Sequence, residues 1–227
     1  AYDCPNLGRK GAKWYAATPP LCHCNTGLSP DDYFGRTMNA NLPDSIRVGV
    51  IHVAIGGSDI RLFDKDLYQD HDSTYPARWF LDRVEAYGGS PYGRLMELGK
   101  LAQQEGVIKG ILLHQGETNT GDAKWPSYVK TIYNNMMSDL SLNPDSVPLL
   151  AGEVGHADQG GKCALMNPII NKLPDAVPTA HIIPSSACTL TSDSVHFNSE
   201  GCRELGRLYA VKMLSLMGYE AGSARVY

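Results

Sequence analysis

The sequence predicts an α/β fold in which helices cover both faces of a parallel sheet. Short runs rich in Val, Ile and Leu recur along the chain, and segments with apolar residues at helical spacing separate them. Nearly continuous apolar strands are typical of sheets buried on both faces, and helical connections between them favour parallel strands. We therefore expect a three-layer α/β/α architecture.

The composition restricts the size class and the partners of the chain. With 227 residues it can form one domain with a full hydrophobic core, so we expect a single domain over residues 1–227. The 20 Lys and Arg residues against 24 Asp and Glu residues give a net charge of -4. Because there is no basic block, nucleic acid is not expected as a partner. No apolar run approaches the roughly 20 residues of a membrane helix, so no membrane partner is expected either.

The first quarter of the chain contains one predicted helix and one predicted strand. Residues 1–30 are rich in Gly, Pro, Cys and aromatic residues without a regular period, which predicts an irregular packed loop. Residues 31–41 follow a Ser-Pro pair and are predicted to be helical. The apolar run 47–55 predicts a buried strand that stops at Gly56-Gly57.

The rest of the chain alternates helices and strands. We predict helix 92–105, strand 107–113, helix 125–140, strand 147–153, helix 164–172, strand 180–183 and a last helix from about 198 to 218. Ligands of such sheets gather at the carboxyl ends of the strands. We therefore expect the polar clusters that follow residues 55, 113 and 183 to lie on one rim.

Six cysteines occur in the chain, at positions 4, 22, 24, 163, 188 and 202. Cys22-His23-Cys24 has metal-binding residue types, but a spacing of one residue suits tetrahedral chelation poorly and no second ligand pair is evident. A loop thiol or one half of a disulfide is the preferred interpretation. We predict neither a metal site nor a cofactor.

The segment Ser192-Asp193-Ser194-Val195-His196-Phe197 provides the main candidate for chemistry. Two side chains three residues apart, just before a helix, can turn to the same side of a loop. Asp193 can then bond the imidazole of His196, and the second ring nitrogen works as a general base. The alternative is an ordinary polar turn. We predict that Asp193 and His196 are the acid and base of an acyl-transfer site of the serine-hydrolase type.

Further candidates lie at the ends of the other predicted strands. Gly56, Gly57 and Gln115 can supply hydrogen bonds to an oxyanion, although a tight turn and a loop amide are simpler explanations of each.

Three more polar residues are candidates for supporting the site. For Glu117 and Asn119 we prefer a role in bridging loops over substrate contact, because a buried carboxylate needs hydrogen-bond partners. His114 is expected to be structural. Glu153 is a candidate for orienting the histidine loop, with a satisfied buried acid as the alternative.

Two of these clusters resemble sequence blocks of a known family. His114-Gln115-Gly116-Glu117-Thr118-Asn119 and Asp193-Ser194-Val195-His196-Phe197 are similar to the third and fifth blocks of the SGNH-type acetylesterases of carbohydrate esterase family six and their sialate O-acetylesterase relatives. Val53-Ala54-Ile55-Gly56-Gly57-Ser58 resembles their second block. The order and spacing agree over nearly the whole chain.

The resemblance implies a fold, an activity and residue roles. The fold is a flavodoxin-like, three-layer SGNH-hydrolase fold, and the activity is deacetylation of xylan or a related glycan without a metal. A serine attacks the acetyl carbonyl, and water then hydrolyses the acetyl-enzyme. His196 is the implied base and Asp193 its partner. Gln115 and a glycine of the Gly56-Gly57 pair are implied parts of the oxyanion hole.

The first block of the family, a Gly-Gln-Ser-Asn stretch that carries the nucleophile and ends an inner strand, is absent from this chain. Its absence predicts two open strand edges, at 47–55 and at 107–113. Three explanations remain: the chain lacks an N-terminal segment, another chain supplies strand and serine, or Ser58 has replaced the nucleophile. We prefer the first and rank Ser58 last, because the family uses a backbone donor at that position.

A non-catalytic carbohydrate-binding or interaction module is the competing expectation for function. Trp14, Tyr15, Trp79 and Trp125 could stack on sugar rings in either case, although most such aromatics are packed. The expected partner is an acetylated polysaccharide or oligosaccharide. The substrate class implies a secreted or periplasmic location.

Overall fold

The centre of the molecule is a parallel sheet of three strands. The computed structural model describes residues 3–71 and 77–222. The strands, in sheet order, are β1 (Ile111–Leu113), β2 (Leu149–Gly152) and β3 (Ala180–Ile183). Both strand pairs are parallel. The prediction of an α/β fold with a parallel sheet is therefore confirmed.

Helices precede, connect and follow the strands. In chain order they are α1 (Pro30–Asn41), α2 (Arg78–Ala86), α3 (Pro91–Ala102), α4 (Trp125–Asp139), α5 (Asn167–Ile170), α6 (Leu173–Ala176) and α7 (Ser199–Leu216). Four of them lie close to their predicted positions. Helix α2 was not predicted, because it is short and buries only Phe80 and Val84. No helix in the described ranges is long and apolar enough to cross a membrane.

The predicted helix 164–172 is wrong in its continuity. Within this range the structure has a 3₁₀ turn, Ala164–Met166, and α5, and the separate helix α6 begins just after it. Pro174 explains the break, because it lacks an N–H and its ring collides with the carbonyl four residues earlier, at Ile170.

The predicted strand 47–55 does not join the sheet. A strand needs a neighbour to complete its ladder of hydrogen bonds, and the described residues place none beside it. Side chains hold its end instead: the Tyr87 hydroxyl lies 3.3 Å from both the N–H and the carbonyl of Ala54, and His23 Nε2 lies 2.8 Å from the same carbonyl. Among the described strands, β1 pairs with β2 alone, and its Leu113 carbonyl also accepts from the Tyr209 hydroxyl of α7.

The two faces of the sheet are covered by different helices. Leu150 and Ile183 pack against α1 and α7, whereas Leu149 and Ala151 pack against α4, α5 and α6. This alternation gives three layers. Helices α1 and α7 approach very closely, since a Cβ on Gly206 would lie 2.0 Å from the carbonyl oxygen of Pro30.

Candidate active site

The Asp193–His196 turn has the geometry of an acid–base pair. Asp193 Oδ2 lies 2.7 Å from His196 Nδ1, and Asp193 Oδ1 accepts hydrogen bonds from the backbone N–H groups of Val195 and His196. The left-handed backbone of Ser194, with φ of 63°, folds the four residues into a tight turn. This bond fixes the ring and directs the second nitrogen, Nε2, away from the carboxylate.

The Asp193 carboxylate is held in its charged form. The Thr191 hydroxyl donates to it at 2.6 Å, and together with the hydrogen bonds from His196 and the two backbone donors it keeps the pKa of Asp193 far below its ordinary value. Sequence reasoning missed Thr191, and its only signal is a hydroxyl two residues before the acid. The side chain of His196 is 75% exposed. In the described part of the chain, no side-chain hydroxyl is hydrogen-bonded to His196 Nε2.

A narrow loop presents this turn in front of α7. Leu190 and Phe197 form an antiparallel bridge, and the N–H of Thr191 donates to the carbonyl of His196 at 2.8 Å. Asn198 then caps α7, accepting from the N–H of Gly201 at 2.8 Å. Helix α7 therefore begins three residues after His196.

The loop after β1 meets the histidine turn. The ring of His114 lies 5.5 Å from that of Phe197, and His114 Nε2 lies 3.4 Å from Glu117 Oε1. Burial alone would raise the pKa of Glu117, but the hydrogen bond and charge of His114, together with the charge of His196, lower it to about 2. Glu117 is therefore an anion close to the candidate base.

Gln115 and Asn119 connect this loop to the segment after residue 57. Gln115 Nε2 donates to the Ser58 carbonyl at 3.1 Å and to Asn119 Oδ1 at 2.7 Å, and its oxygen accepts from Trp125 Nε1. Asn119 is buried, accepts from the N–H of Ile60 and donates to Asp59. Asn119 thus bridges two loops, and the amide hydrogens of Gln115 already have acceptors.

The glycine turn lies beside Gln115. Gly56 and Gly57 are exposed, and Gly57 has φ of 76°, which favours glycine. The Thr118 hydroxyl donates to the Gly57 carbonyl at 3.0 Å, tying the turn to the loop after β1. Ser58 is buried with 6% exposure, and among the described residues no hydrogen bond joins it to His196.

Glu153 lies at the end of β2 but bonds a different histidine. Its carboxylate accepts from His156 and Asn171, each at 2.7 Å, and from the backbone N–H of Ser185. Burial opposes ionisation of Glu153, and these donors outweigh it and lower its pKa. Among the described residues, none of its hydrogen bonds reaches the Asp193–His196 turn directly. The loop that follows His156 does reach it, because the Lys162 N–H donates to the Ser194 carbonyl at 2.9 Å.

The aromatic candidates divide into one buried and three exposed residues. Trp125 has 0% exposure and is packed, so it offers no face to a sugar. Trp14, Tyr15 and Trp79 are each close to half exposed. The Arg83 guanidinium lies over the ring of Trp79, 4.9 Å from its centroid, so Trp14 and Tyr15 are the two of these candidates that we consider for stacking.

The sequence pattern of one family, "Carbohydrate esterase, sialic acid-specific acetylesterase", matches residues 6–215, which is most of the chain. The chain belongs to this family of carbohydrate esterases. The fold agrees with an X-ray structure of a protein from Arabidopsis thaliana, with a TM-score of 0.66 at 21% sequence identity. The alignment covers 89% of this carbohydrate esterase family member and 77% of the Arabidopsis chain. The family match and this structural similarity together fit an SGNH-like fold.

Proposed function

We propose that this member of the carbohydrate esterase family removes acetyl groups from a glycan, acetylated xylan or a related polysaccharide, by a serine-hydrolase mechanism. The observation that carries the proposal is the hydrogen bond between Asp193 and His196. Among the described residues, no side-chain hydroxyl is bonded to the second ring nitrogen of His196, Nε2. His196 removes a proton from a serine, and after acetyl transfer it activates the water that releases acetate. Asp193 stabilises the imidazolium that forms in each step.

The oxyanion hole in this proposal comes from the glycine turn and the loop after β1. Gly57 contributes its backbone N–H and Gln115 its side-chain amide. Both hydrogens of Gln115 Nε2 already have acceptors, the Ser58 carbonyl and Asn119 Oδ1. To donate to the oxyanion, Gln115 therefore has to give up one of these two hydrogen bonds. Gly56, Glu117, Asn119 and Glu153 support the site without touching the acetyl group.

The serine, in this proposal, arrives on a strand that adds to the open side of β1. Two observations support this proposal. Among the described strands β1 pairs only with β2, and no described strand lies beside segment 47–55. By resemblance to the family, that strand precedes the others in the same polypeptide, and a second chain is the alternative. A secreted or periplasmic location is also proposed, supported by the Cys4–Cys24 disulfide, since such bonds persist in oxidising compartments.

Hydrolysis of para-nitrophenyl acetate tests the activity, measured for this chain alone and after any upstream residues of the encoded protein are restored. Release of acetate from acetylated xylan and from O-acetylated sialic acid then distinguishes the substrates. We expect turnover only with the added strand. Turnover by the chain alone would contradict the added strand, and absence of turnover in both folded proteins would contradict the esterase.

A substitution tests the base itself. We expect His196→Ala to lower kcat by about 100-fold to about 10,000-fold, because general base catalysis is lost. His181→Gln, a change on β3, is the matched control and should keep the parent activity. A His196→Ala enzyme with full turnover would contradict the assignment.

A non-catalytic carbohydrate-binding module is the second candidate. It is favoured by the exposed aromatic side chains of Trp14 and Tyr15. Isothermal titration with xylo-oligosaccharides tests it, since binding that Trp14→Ala weakens, without any acetate release, would support this function over the esterase.

A further inference from the structure

A chain of hydrogen bonds leads from a charged pair to Gln115, the side chain proposed for the oxyanion hole. At its outer end Arg61 holds Asp59, because Arg61 Nε donates to Asp59 Oδ1 at 2.8 Å and Arg61 Nη2 donates to Oδ2 at 2.7 Å. Asn119 Nδ2 donates to the same Oδ2 at 2.9 Å. Asn119 Oδ1 in turn accepts from Gln115 Nε2 at 2.7 Å. A single amide, that of Asn119, therefore joins the charged pair to Gln115.

The inner members of this chain are buried, which strengthens their hydrogen bonds. Asp59 is 5% exposed and Asn119 is 4% exposed. Burial opposes ionisation of Asp59, but the hydrogen bonds and charge of Arg61, together with the hydrogen bond from Asn119, lower its pKa. The guanidinium also lies over the ring of Tyr128 in α4, 5.1 Å from its centroid. Asp59 is therefore an ionised acceptor whose cation is itself held in place.

The neighbours of the two amides set the direction in which each amide points. The indole N–H of Trp125 can only donate, so it fixes the position of the Gln115 oxygen. The backbone N–H of Ile60 donates to Asn119 Oδ1 at 2.9 Å and fixes that oxygen in the same way. The ionised carboxylate of Asp59 can only accept, so it fixes Asn119 Nδ2. With both amides oriented, the N–H groups of Gln115 point in one defined direction.

The two hydrogen bonds donated by Gln115 Nε2 differ in length and in support. The bond to Asn119 is 2.7 Å long, and Asp59 holds Asn119 from behind. The bond to the Ser58 carbonyl is 3.1 Å long. Ser58 follows Gly57, whose backbone N–H is the other proposed oxyanion donor, so the second hydrogen of Gln115 lies on the side of the glycine turn. The bond to Ser58 is therefore the one that an oxyanion replaces with the smaller loss.

We propose that Asp59 is a positioning residue for the oxyanion hole, acting on Gln115 through Asn119. This inference rests on the proposed esterase function. Arg61 holds the Asp59 carboxylate, and Asn119 passes its orientation to Gln115. During the reaction Gln115 keeps its bond to Asn119 and exchanges the Ser58 carbonyl for the oxyanion. A donor held in this way stabilises the developing charge without first having to reorient.

Asp59 also has a simpler role, because its Oδ1 accepts from the backbone N–H of Arg61 at 2.8 Å and caps the 3₁₀ turn Ile60–Phe63. Asp59→Asn separates the two roles. Asparagine caps about as well as aspartate, so its oxygen keeps the turn capped. An amide has only one oxygen, however, and its NH₂ group then stands where Oδ2 accepted from Asn119. The substitution therefore breaks the chain to Gln115 while it conserves size and cap.

Turnover of para-nitrophenyl acetate by the active form of the esterase measures the effect. We expect Asp59→Asn to lower kcat about 10-fold to about 100-fold, less than removal of an oxyanion donor, and to leave KM nearly unchanged, because the oxyanion forms only as the reaction proceeds. Asp139→Asn is the matched control and should keep the parent kcat, since its carboxylate accepts from Tyr92 and Lys65. A parent kcat in Asp59→Asn, or a change confined to KM, would overturn the proposal.

Asn119→Ala tests the route from Asp59 to Gln115. We expect kcat to fall, because Gln115 loses the bond that holds its amide. If Gln115 exchanged the Asn119 bond instead, this variant would free the donor, so an unchanged or higher kcat would contradict the proposal. The double variant Asp59→Asn, Asn119→Ala should lose about as much as the more damaging single variant, since both changes break one chain. Losses that multiply would show that Asp59 does not act through Asn119.

A measurement on the resting protein needs no ester substrate. The chain has three tryptophans, so Trp14→Phe and Trp79→Phe identify two indole N–H signals in a ¹H–¹⁵N NMR spectrum, and the third belongs to Trp125. We expect Asp59→Asn to move the Trp125 signal, because the acceptor of that N–H belongs to the chain, and Asp139→Asn to leave it in place. An unmoved signal in Asp59→Asn would overturn the positioning role. Absence of turnover in the parent protein would contradict the proposed function instead, so the two failures are distinguishable.

Discussion

The charge states of single residues determine how the candidate site should respond to pH. Asp193 has a pKa far below its ordinary value and Glu117 one of about 2, and a carboxylate stays ionised at every pH above its pKa. Neither residue therefore changes charge between about pH 5 and about pH 8, the range in which histidine ordinarily titrates. A loss of activity in that range would therefore not come from either carboxylate.

We expect the esterase rate constant kcat/KM to fall on the acid side of neutrality with a slope of one proton, because general base catalysis needs an unprotonated base. Glu117→Gln should retain this one-proton fall. A fall centred in the ordinary range of carboxylates, about pH 4, or its disappearance in Glu117→Gln, would contradict the assignment.

The residue pattern predicted local relations better than distant ones. Asp193 and His196 are three residues apart in one turn, so their spacing alone allowed the bond to be expected. The partners of Gln115 were not predictable, because Ser58 and Trp125 reach it from other loops. The hydrogen-bonded pair of Asp31 and His52 was also missed, since its members come from two segments that only tertiary packing brings together.

At the scale of elements, the amino terminus of α7 holds the histidine loop. Asn198 accepts from the N–H of Gly201 and from the hydroxyl of Thr189, so one side chain both caps the helix and closes the loop. We expect Asn198→Ala to lower the free energy of unfolding by about 1 kcal/mol, measured by urea denaturation.

Ser199→Ala provides the control for this cap, because Ser199 is exposed and lies one residue further along. Its effect should stay within about 0.5 kcal/mol, as for most surface substitutions. If the two variants are equally stable, Asn198 does not act as a cap.

The contact between α1 and α7 depends on a missing side chain. A Cβ on Gly206 would lie 2.0 Å from the Pro30 carbonyl oxygen, so Gly206→Ala must push the helices apart. We expect a loss of about 3 kcal/mol or more of unfolding free energy, the upper range for overpacking in a core.

Gly35→Ala in α1 is the matched control. Its added methyl group would meet only Val50, at an ordinary 3.8 Å, and alanine is the better helix former. This variant should gain about 0.5 to 1 kcal/mol in the same urea titration. A tolerated Gly206→Ala would contradict the close approach.

The elements themselves were predicted from period and composition, and the failures have physical causes. Apolar runs predicted the three strands of the sheet correctly. The apolar run 47–55 has no neighbouring strand among the described residues. The sequence of one segment does not show whether a second strand lies beside it. In 164–172 the α-helical prediction was correct for the residues of α5, and Pro174 prevents α5 and α6 from joining into one helix.

For the whole molecule, the Cys4–Cys24 disulfide closes the irregular N-terminal segment over a separation of 20 residues. By restricting the unfolded chain, a disulfide that closes a loop of this size raises the free energy of unfolding by about 3 kcal/mol. We expect the Cys4→Ser, Cys24→Ser double variant to lower the urea midpoint accordingly.

Cys163→Ser is the control for the disulfide, since Cys163 is a free thiol. It should leave the midpoint nearly unchanged. An unaltered midpoint in the double variant would mean that the N-terminal segment unfolds independently of the sheet.

The pairing of α1 with α7 also sets the order of events during synthesis. Residues 30–41 leave the ribosome long before residues 199–216, at a translation speed of about 5 to 20 residues per second. During that interval the apolar face of α1 is not covered by α7. We therefore expect a ribosome-bound chain stalled before α7 to bind a holdase chaperone, and the released, folded protein not to bind it.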